Sequence, residues 1–527
     1  MRKIASILNN GSLRLLSRWL VVSVLLLLFS LYSRLHFGVV DEFWPLTPRE
    51  SSFILIVEGL LEPEAPAMYS TDSLPQFTNL YGPIYPLVVS LSGSLHQNDP
   101  YLTQRILVGI FILIGSVLIG FIVAFRAGVM CGLWGAILYY VGMVGSPSIA
   151  AGPDSLAVLL YIAGIAFALR SSFSIGEIMV VVLLGFLGLL TKPYVVLIIP
   201  SVLTYVYLFV SPRRALLAAL FTLGITVLGG LFINDLWPAY FHSVFAIHAG
   251  YTTRVLGELV RQCLAFGSLF FFPILIFFLN FPYKCFKKFR LSPLRLYFGD
   301  ASVFQKAIGF DRFMTIVAAA ALLSSLGWHG GAFLIYFLHL LLPPLLISVF
   351  SSGALLFAGW KCLLLITNAL VLLAQIPRNP KTSEFPKFLA MTLESKVLLD
   401  PVLEPLSRVA KDAELVDNGQ AEYLINFNLE RTGPYSELIE RYEKIQRMAL
   451  SDKHYDFIFL SPVHNRRNFI EYTKVMPTLS ESYKLVGSID IPVYFLYFRH
   501  RDQFGRGQNK ILVFAPRKND VVTEAVD

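Results

Sequence analysis

The stretch Ser174–Ser211, SIGEIMVVVLLGFLGLLTKPYVVLIIPSVLTYVYLFVS, decides how this chain is threaded. It is apolar almost throughout, interrupted only by Glu177 and by Thr191-Lys192-Pro193. Read as one span, it would send the basic run Lys284, Lys287, Lys288, Arg290 and Arg295 to the side opposite the N-terminal Arg2, Lys3, Arg14 and Arg18. Read as a hairpin of two spans with Lys192 at its outer tip, it brings that run back beside Arg126, Arg170 and Arg213-Arg214. Short loops rich in Lys and Arg stay in the cytoplasm. The basic loops therefore favour the hairpin, with a cytoplasmic N-terminus.

Working outward, apolar segments fall at 19–37, 105–125, 128–147, 155–170, 174–191, 193–211, 215–233, 261–281, 310–327, 331–350 and 355–376. Each has the roughly 16–23 residues that a helix needs to cross ~30 Å of hydrocarbon. The chain of 527 residues is 55% hydrophobic and 15% charged, a composition of polytopic membrane proteins. Its net charge of +8 sits largely in short loops, so it sets orientation and calls for no nucleic acid. Cys131, Cys263, Cys285 and Cys362 are scattered and show no metal spacing. The basic N-terminus lacks a small-x-small cleavage site and reads as a retained first helix. The apolar run 83–93 is too short to cross and reads as an interfacial or re-entrant helix.

The expected fold is an all-α polytopic membrane domain, residues 1–376, with about 11 spans. Residues 38–104 form its long acidic outer loop, and residues 377–527 form a small α/β domain outside the membrane. In that tail, 396–399, 457–460 and 493–498 read as buried strands, and 436–450 as a helix. Arg378, Lys381 and Lys387, just past the last span, weigh against an outer tail.

The chemistry concentrates at one face. Asp41-Glu42 follows the first span directly and precedes Phe43-Trp44, an interface signature. A carboxylate at that depth is costly unless it is paired or used, and its setting suits a general base. Asp154 opens another span after Gly152-Pro153. It reads either as ordinary helix-start chemistry or as a second acid facing Asp41 across an outer cavity. Lys192 is either a snorkelling cation at a hairpin tip or a partner for a lipid phosphate. Arg105 either serves a phosphate or pairs with an acid, and Arg254 on the second outer loop offers a two-pronged phosphate clamp. His242, His248 and His329 have no metal-ligand spacing, and aromatics such as Tyr336 sit where interface anchors do. No metal site follows from the sequence, although the clustered acids of the outer loop leave a divalent cation open. No other cofactor is implied.

Taken in order, these motifs resemble a known superfamily. Asp41-Glu42, Tyr81-Gly82-Pro83-Ile84-Tyr85-Pro86 before a short helix, Arg105, Gly152-Pro153-Asp154, Thr191-Lys192-Pro193 and the run from Gly331 through Tyr336 to Pro343-Pro344 are similar to the GT-C glycosyltransferases. The nearest group holds protein O-mannosyltransferases, the lipid A aminoarabinose transferase and RgtA/B/C/D-like enzymes. The resemblance spans about residues 19–350.

It implies a donor sugar on polyprenyl phosphate, a glycan, lipid or protein acceptor, inversion at the anomeric centre, and action at the outer face of the plasma (inner) membrane. By the Asp-Glu motif of the same resemblance Asp41 is the base, Glu42 is the other acid of the pair and a catalytic candidate, and Asp154 matches the second acid, which positions the acceptor or supports the base. Lys192, with Arg105 and Arg254, would bind the donor phosphate. Tyr81, Tyr85, His248, His329 and Tyr336 would line the substrates. One departure stands out: the aminoarabinose-type enzymes carry Lys before the loop-one Pro, where this chain has Gly82. The competing reading is a transporter or lipid-linked sugar flippase without transfer chemistry.

Overall fold

The structure, a computed structural model, describes residues 11–41, 45, 48–62, 68–69, 79–246, 309–325, 332–351, 392–400, 403–416, 436–460, 476–490 and 510–517. The membrane domain runs α1 (Gly11–Val40), α2 (Pro48–Leu61), α3 (Ile84–Ser90), α4 (Ser94–Asn98), α5 (Pro100–Ala127), α6 (Val129–Val144), α7 (Asp154–Arg170), α8 (Ile175–Leu189), α9 (Ile198–Phe209), α10 (Pro212–Leu236), α11 (Phe310–Ser325) and α12 (Ala332–Phe350). Val22–Val40, Pro100–Ala127 and Pro212–Leu236 are long and apolar enough to cross a membrane, and several neighbours are shorter apolar helices. Nine of the eleven expected spans coincide with helices; 261–281 and 355–376 lie outside the described residues.

The deciding stretch does break in two. Ser174 caps α8: its hydroxyl accepts from the Glu177 N–H, and the Glu177 carboxylate accepts from the Ser174 N–H at 2.9 Å. The one acid inside the first half is thus a capping-box residue at the helix start. The helix ends at Leu189. Lys192 N–H closes onto Gly188 O at 2.7 Å, and Pro193, which has no N–H to continue a helix, opens a 3-10 turn to Leu197. The second half is that turn followed by α9, so it is shorter as a regular helix than its apolar length suggests.

The two ends of the bundle differ in charge. At one end Arg126 meets Asp311 at 3.6 Å, Arg170 lies over Phe121 at 5.0 Å, and Arg214 donates to Phe173 O at 3.2 Å. At the other end lie Asp41, Asp154, Lys192, α2, and the short helices α3 and α4. The 83–93 segment is thus short helix and turn, as its length predicts. Helix α2 lies inside the acidic loop, N-terminal to the 83–93 segment. Its Ser51, Ser52, Phe53 and Ile54 are all buried, so packing and not local propensity holds it.

The tail is α/β. Strands β1 (Lys396–Leu399), β2 (Asp412–Leu415), β3 (Phe457–Leu460), β4 (Tyr483–Asp490) and β5 (Lys510–Pro516) form one sheet in the order β2-β1-β3-β5-β4. The β2-β1-β3 pairs are parallel and the β3-β5-β4 pairs antiparallel. Helices α13 (Glu404–Ser407), α14 (Ser436–Ser451) and α15 (Met476–Ser482) connect the strands. Val397, Leu399, Leu403, Leu406, Phe459, Ile511 and Val513 form its core. The expected strands 396–399 and 457–460 and the helix near 436–450 are present; 493–498 lies outside the described residues.

Candidate active site

Asp154 is the first residue of α7, where a negative charge meets the positive end of the helix dipole. Its Oδ1 accepts from Lys192 Nζ at 2.5 Å and from the Tyr194 hydroxyl at 3.3 Å. Lys192 stands on the turn between α8 and α9, and its side chain is 5% exposed against 22% for Asp154. Its ammonium also lies 4.8 Å from the centre of the Tyr81 ring. The hairpin tip therefore folds inward and presents a shielded cation, not one that snorkels to water.

A third group closes the cluster. His339, on α12 and fully buried, has Nδ1 2.7 Å from the Tyr194 hydroxyl and 3.5 Å from Asp154 Oδ1. Its Nε2 is 2.5 Å from Ser148 Oγ. A neutral imidazole has one donor and one acceptor nitrogen, and the Ser148 and Tyr194 hydroxyls, each able to donate or accept, satisfy both. Asp154, Lys192, Tyr194, His339 and Ser148 thus join three separate parts of the chain at one end of the bundle.

Behind Asp154, two backbone N–H groups are held by side chains. Ala151 N–H donates to Glu50 Oε1 at 2.7 Å, and Gly152 N–H donates to the Tyr85 hydroxyl at 3.0 Å. Glu50 also takes Arg105 in a two-pronged pair, Nε to Oε1 and NH2 to Oε2, both 2.9 Å, with neither side chain exposed. The Tyr85 hydroxyl donates to Gln104 Oε1 at 3.0 Å. Arg105 and Tyr85 are both enclosed, and these contacts of their polar groups hold the 150–154 turn. Arg105 pairs with an acid, Glu50.

Gln104 Nε2 also meets His96 Nε2 at 2.9 Å. Burial, and then the Arg408 charge, lowers the His96 pKa to about 4. The unfolded value is ~6.5, so folding favours the neutral ring. The resulting stability is present above pH ~6.5 and is lost as pH falls through about 4. Melting temperature is expected to drop between pH 7 and pH 4, and His96→Gln is expected to flatten that drop.

Asp41 lies one residue beyond the end of α1, exposed, its N–H bonded to Phe37 O at 3.2 Å. Its carboxylate has no hydrogen-bond or ion-pair partner among the described residues. No basic residue occupies the last turn of α1, so no cation within that turn offsets the negative end of the dipole beside this carboxylate. Position and exposure leave it available to a ligand. Glu42, His248, Arg254 and His329 lie outside the described residues, and Tyr336 falls on α12. Among the described residues no group of His, Cys, Asp and Glu could hold a metal ion.

No protein-family model matches the chain, and no curated protein matches it. Among solved structures, the Archaeoglobus fulgidus oligosaccharyltransferase in complex with Zn and sulfate is 11% identical over 87% of this chain and 71% of that one, with a TM-score of 0.48. The oligosaccharyltransferase AglB from the same organism, in complex with an inhibitory peptide and a dolichol-phosphate, is 13% identical over 81% and 59%, with a TM-score of 0.41. ArnT from Cupriavidus metallidurans in the apo state is 16% identical over 93% and 97%, with a TM-score of 0.44. At these scores the likeness carries no chemistry; the site's own residues do.

The glycine that departs from the expected motif has a structural reason. A Cβ on Gly82 would lie 1.8 Å from Leu190 O, and the next residue but one, Ile84, donates its N–H to that same oxygen at 3.2 Å. The loop must touch the backbone of the Lys192 turn, and only glycine permits it. A lysine at this position has no room. Instead the loop delivers the Tyr81 ring to the Lys192 ammonium. Gly82→Ala is expected to cost about 1–3 kcal/mol of stability through overpacking, measured by chemical denaturation, because the clash is with main chain that cannot rotate away.

Proposed function

We propose that this chain is a membrane glycosyltransferase that moves a sugar from a polyprenyl-phosphate carrier to an acceptor hydroxyl. The observation that carries the reading is the shielded Asp154–Lys192 pair, at the same end of the bundle as the exposed Asp41, whose carboxylate has no partner among the described residues. Burying charge beside a membrane is expensive unless the charges are paired, and such groups mark functional sites. With Arg126, Arg170 and Arg214 at the opposite end, the positive-inside rule makes the Asp41 end periplasmic or extracellular. The tail, which meets α2 and α5, faces the same way.

The chemistry divides among these groups. A phosphate leaves as an anion, so transfer needs no acid to protonate it and the carboxylate spacing rules of glycosidases do not apply. It needs positive charge at the leaving oxygen and a base at the attacking hydroxyl. Lys192 supplies the first, preorganised by Asp154 and the Tyr81 ring. Asp41 supplies the second, taking the acceptor proton as the hydroxyl attacks the anomeric carbon from the face opposite the phosphate. That geometry inverts the anomeric centre. Asp154, restrained by Lys192, Tyr194 and His339, keeps the cation in place before the donor arrives.

Purified protein in nanodiscs, given a polyprenyl-phosphate-linked sugar, tests this. Sugar transfer supports the reading; movement of donor between leaflets without turnover would support a flippase instead. Lys192→Met is expected to lower the transfer rate ~10²–10³-fold, the usual loss when one preorganised donor to a developing anion is removed. Single-turnover kinetics measures it.

A further inference from the structure

The polar contacts of the outer end do not stop at the membrane domain. Arg408, just past α13 in the tail, donates to Glu58 Oε1 on α2 at 2.5 Å and pairs with Glu404 Oε1 at 2.5 Å. Glu404, 1% exposed, accepts from the Tyr101 hydroxyl through Oε2 at 2.6 Å. That hydroxyl also lies 3.1 Å from Ser51 Oγ. The Tyr101 ring carries the Arg105 guanidinium 5.2 Å from its centre, and Arg105 grips Glu50. Glu50 in turn holds Ala151 N–H, three residues before Asp154.

Apart from the exposed Arg408–Glu58 pair, the links are buried contacts between groups that are costly to leave unpaired. The links are contiguous, and they run from the soluble domain to the turn that aims Asp154. Sequence separation hides this: Tyr101 and Glu404 lie 303 residues apart, and Glu58 and Arg408 lie 350 apart. We propose that docking of α13 on α2 and α5 sets the pose of Asp154 against Lys192, with Tyr101 and Glu50 as positioning residues. The C-terminal domain is then a working part of the site, and a partner or ligand that lifts it would slacken the pair. The effect on turnover rests on the transferase reading; the coupling itself does not.

The test uses the full chain in nanodiscs with two variants that leave the Glu50–Arg105 pair intact, Tyr101→Phe and Arg408→Met. The rate of Lys192 acetylation by an N-hydroxysuccinimide ester, followed by mass spectrometry against the exposed Lys484, reports how tightly Asp154 holds the ammonium. Asp154→Asn sets the upper limit. Both variants are expected to raise the Lys192 rate at least ~5-fold, the low end of site-to-site coupling, with Lys484 unchanged. In transfer assays kcat is expected to fall by a similar factor with donor KM held. Lys192 rates at the wild-type value in both variants overturn the proposal and leave the transferase reading untouched. Faster Lys192 labelling in a protein that turns over no donor keeps the coupling and removes the transferase reading. If Tyr101→Phe does not fold, Arg408→Met, at a side chain 30% exposed, decides alone.

Discussion

Asp41→Asn is expected to abolish transfer and leave the protein as stable as before, or slightly more so. The carboxylate stands just past the C-terminal end of α1, where the helix dipole disfavours negative charge, and no cation in the last turn relieves it. Neutralising it relieves ~0.3–1 kcal/mol of that unfavourable interaction. The asparagine fills the same volume and breaks no contact among the described residues. Loss of a general base costs ~10²–10⁴ in rate. The signature is therefore a large fall in kcat together with an unchanged or higher melting temperature. Equal turnover in wild type and variant would remove Asp41 from the mechanism.

The second large effect is on stability. Arg105→Met leaves Glu50 buried, charged and without its guanidinium, and breaking one side of such a pair costs ~3–5 kcal/mol. Glu50→Gln strands Arg105 by the same logic. The double change Glu50→Gln with Arg105→Met removes both charges and keeps an amide oxygen for Ala151 N–H. It is expected to cost less than either single change, because the penalty lies in the unpaired charge and not in the absence of the pair. Denaturant midpoints of the four proteins check this; a double variant that shows the sum of both losses would contradict it.

What the sequence discloses follows from how local each signal is. The hairpin at 174–211 is legible because its length, its Thr-Lys-Pro break and the parity of basic loops agree. Asp154 and Lys192 are legible as isolated charges in apolar surroundings. Strands β1 and β3 are legible because burial on both faces leaves unbroken apolar runs. Strand β2, a four-residue edge strand reading Asp-Ala-Glu-Leu, offers no such run. His339 hides inside an apolar span, between Leu338 and Leu340, whereas His329 stands out ten positions earlier beside Gly330-Gly331. Glu50 looks like any acid of an acidic loop, since its partners Arg105 and Ala151 are 55 and 101 residues away. Pairings of that range are set by tertiary packing and leave no trace in composition or period.

The most direct measurement is the sidedness of the two helix ends. In a chain whose Cys131, Cys263, Cys285 and Cys362 are replaced by alanine, Gln97→Cys marks the Asp41–Asp154–Lys192 end and Arg213→Cys the opposite end, both at exposed positions. Intact cells are treated with a membrane-impermeant maleimide. Residue 97 is expected to label at once and residue 213 only after permeabilisation. Labelling of residue 213 in intact cells, with residue 97 protected, would put the acidic end in the cytosol and contradict an outward-facing transferase.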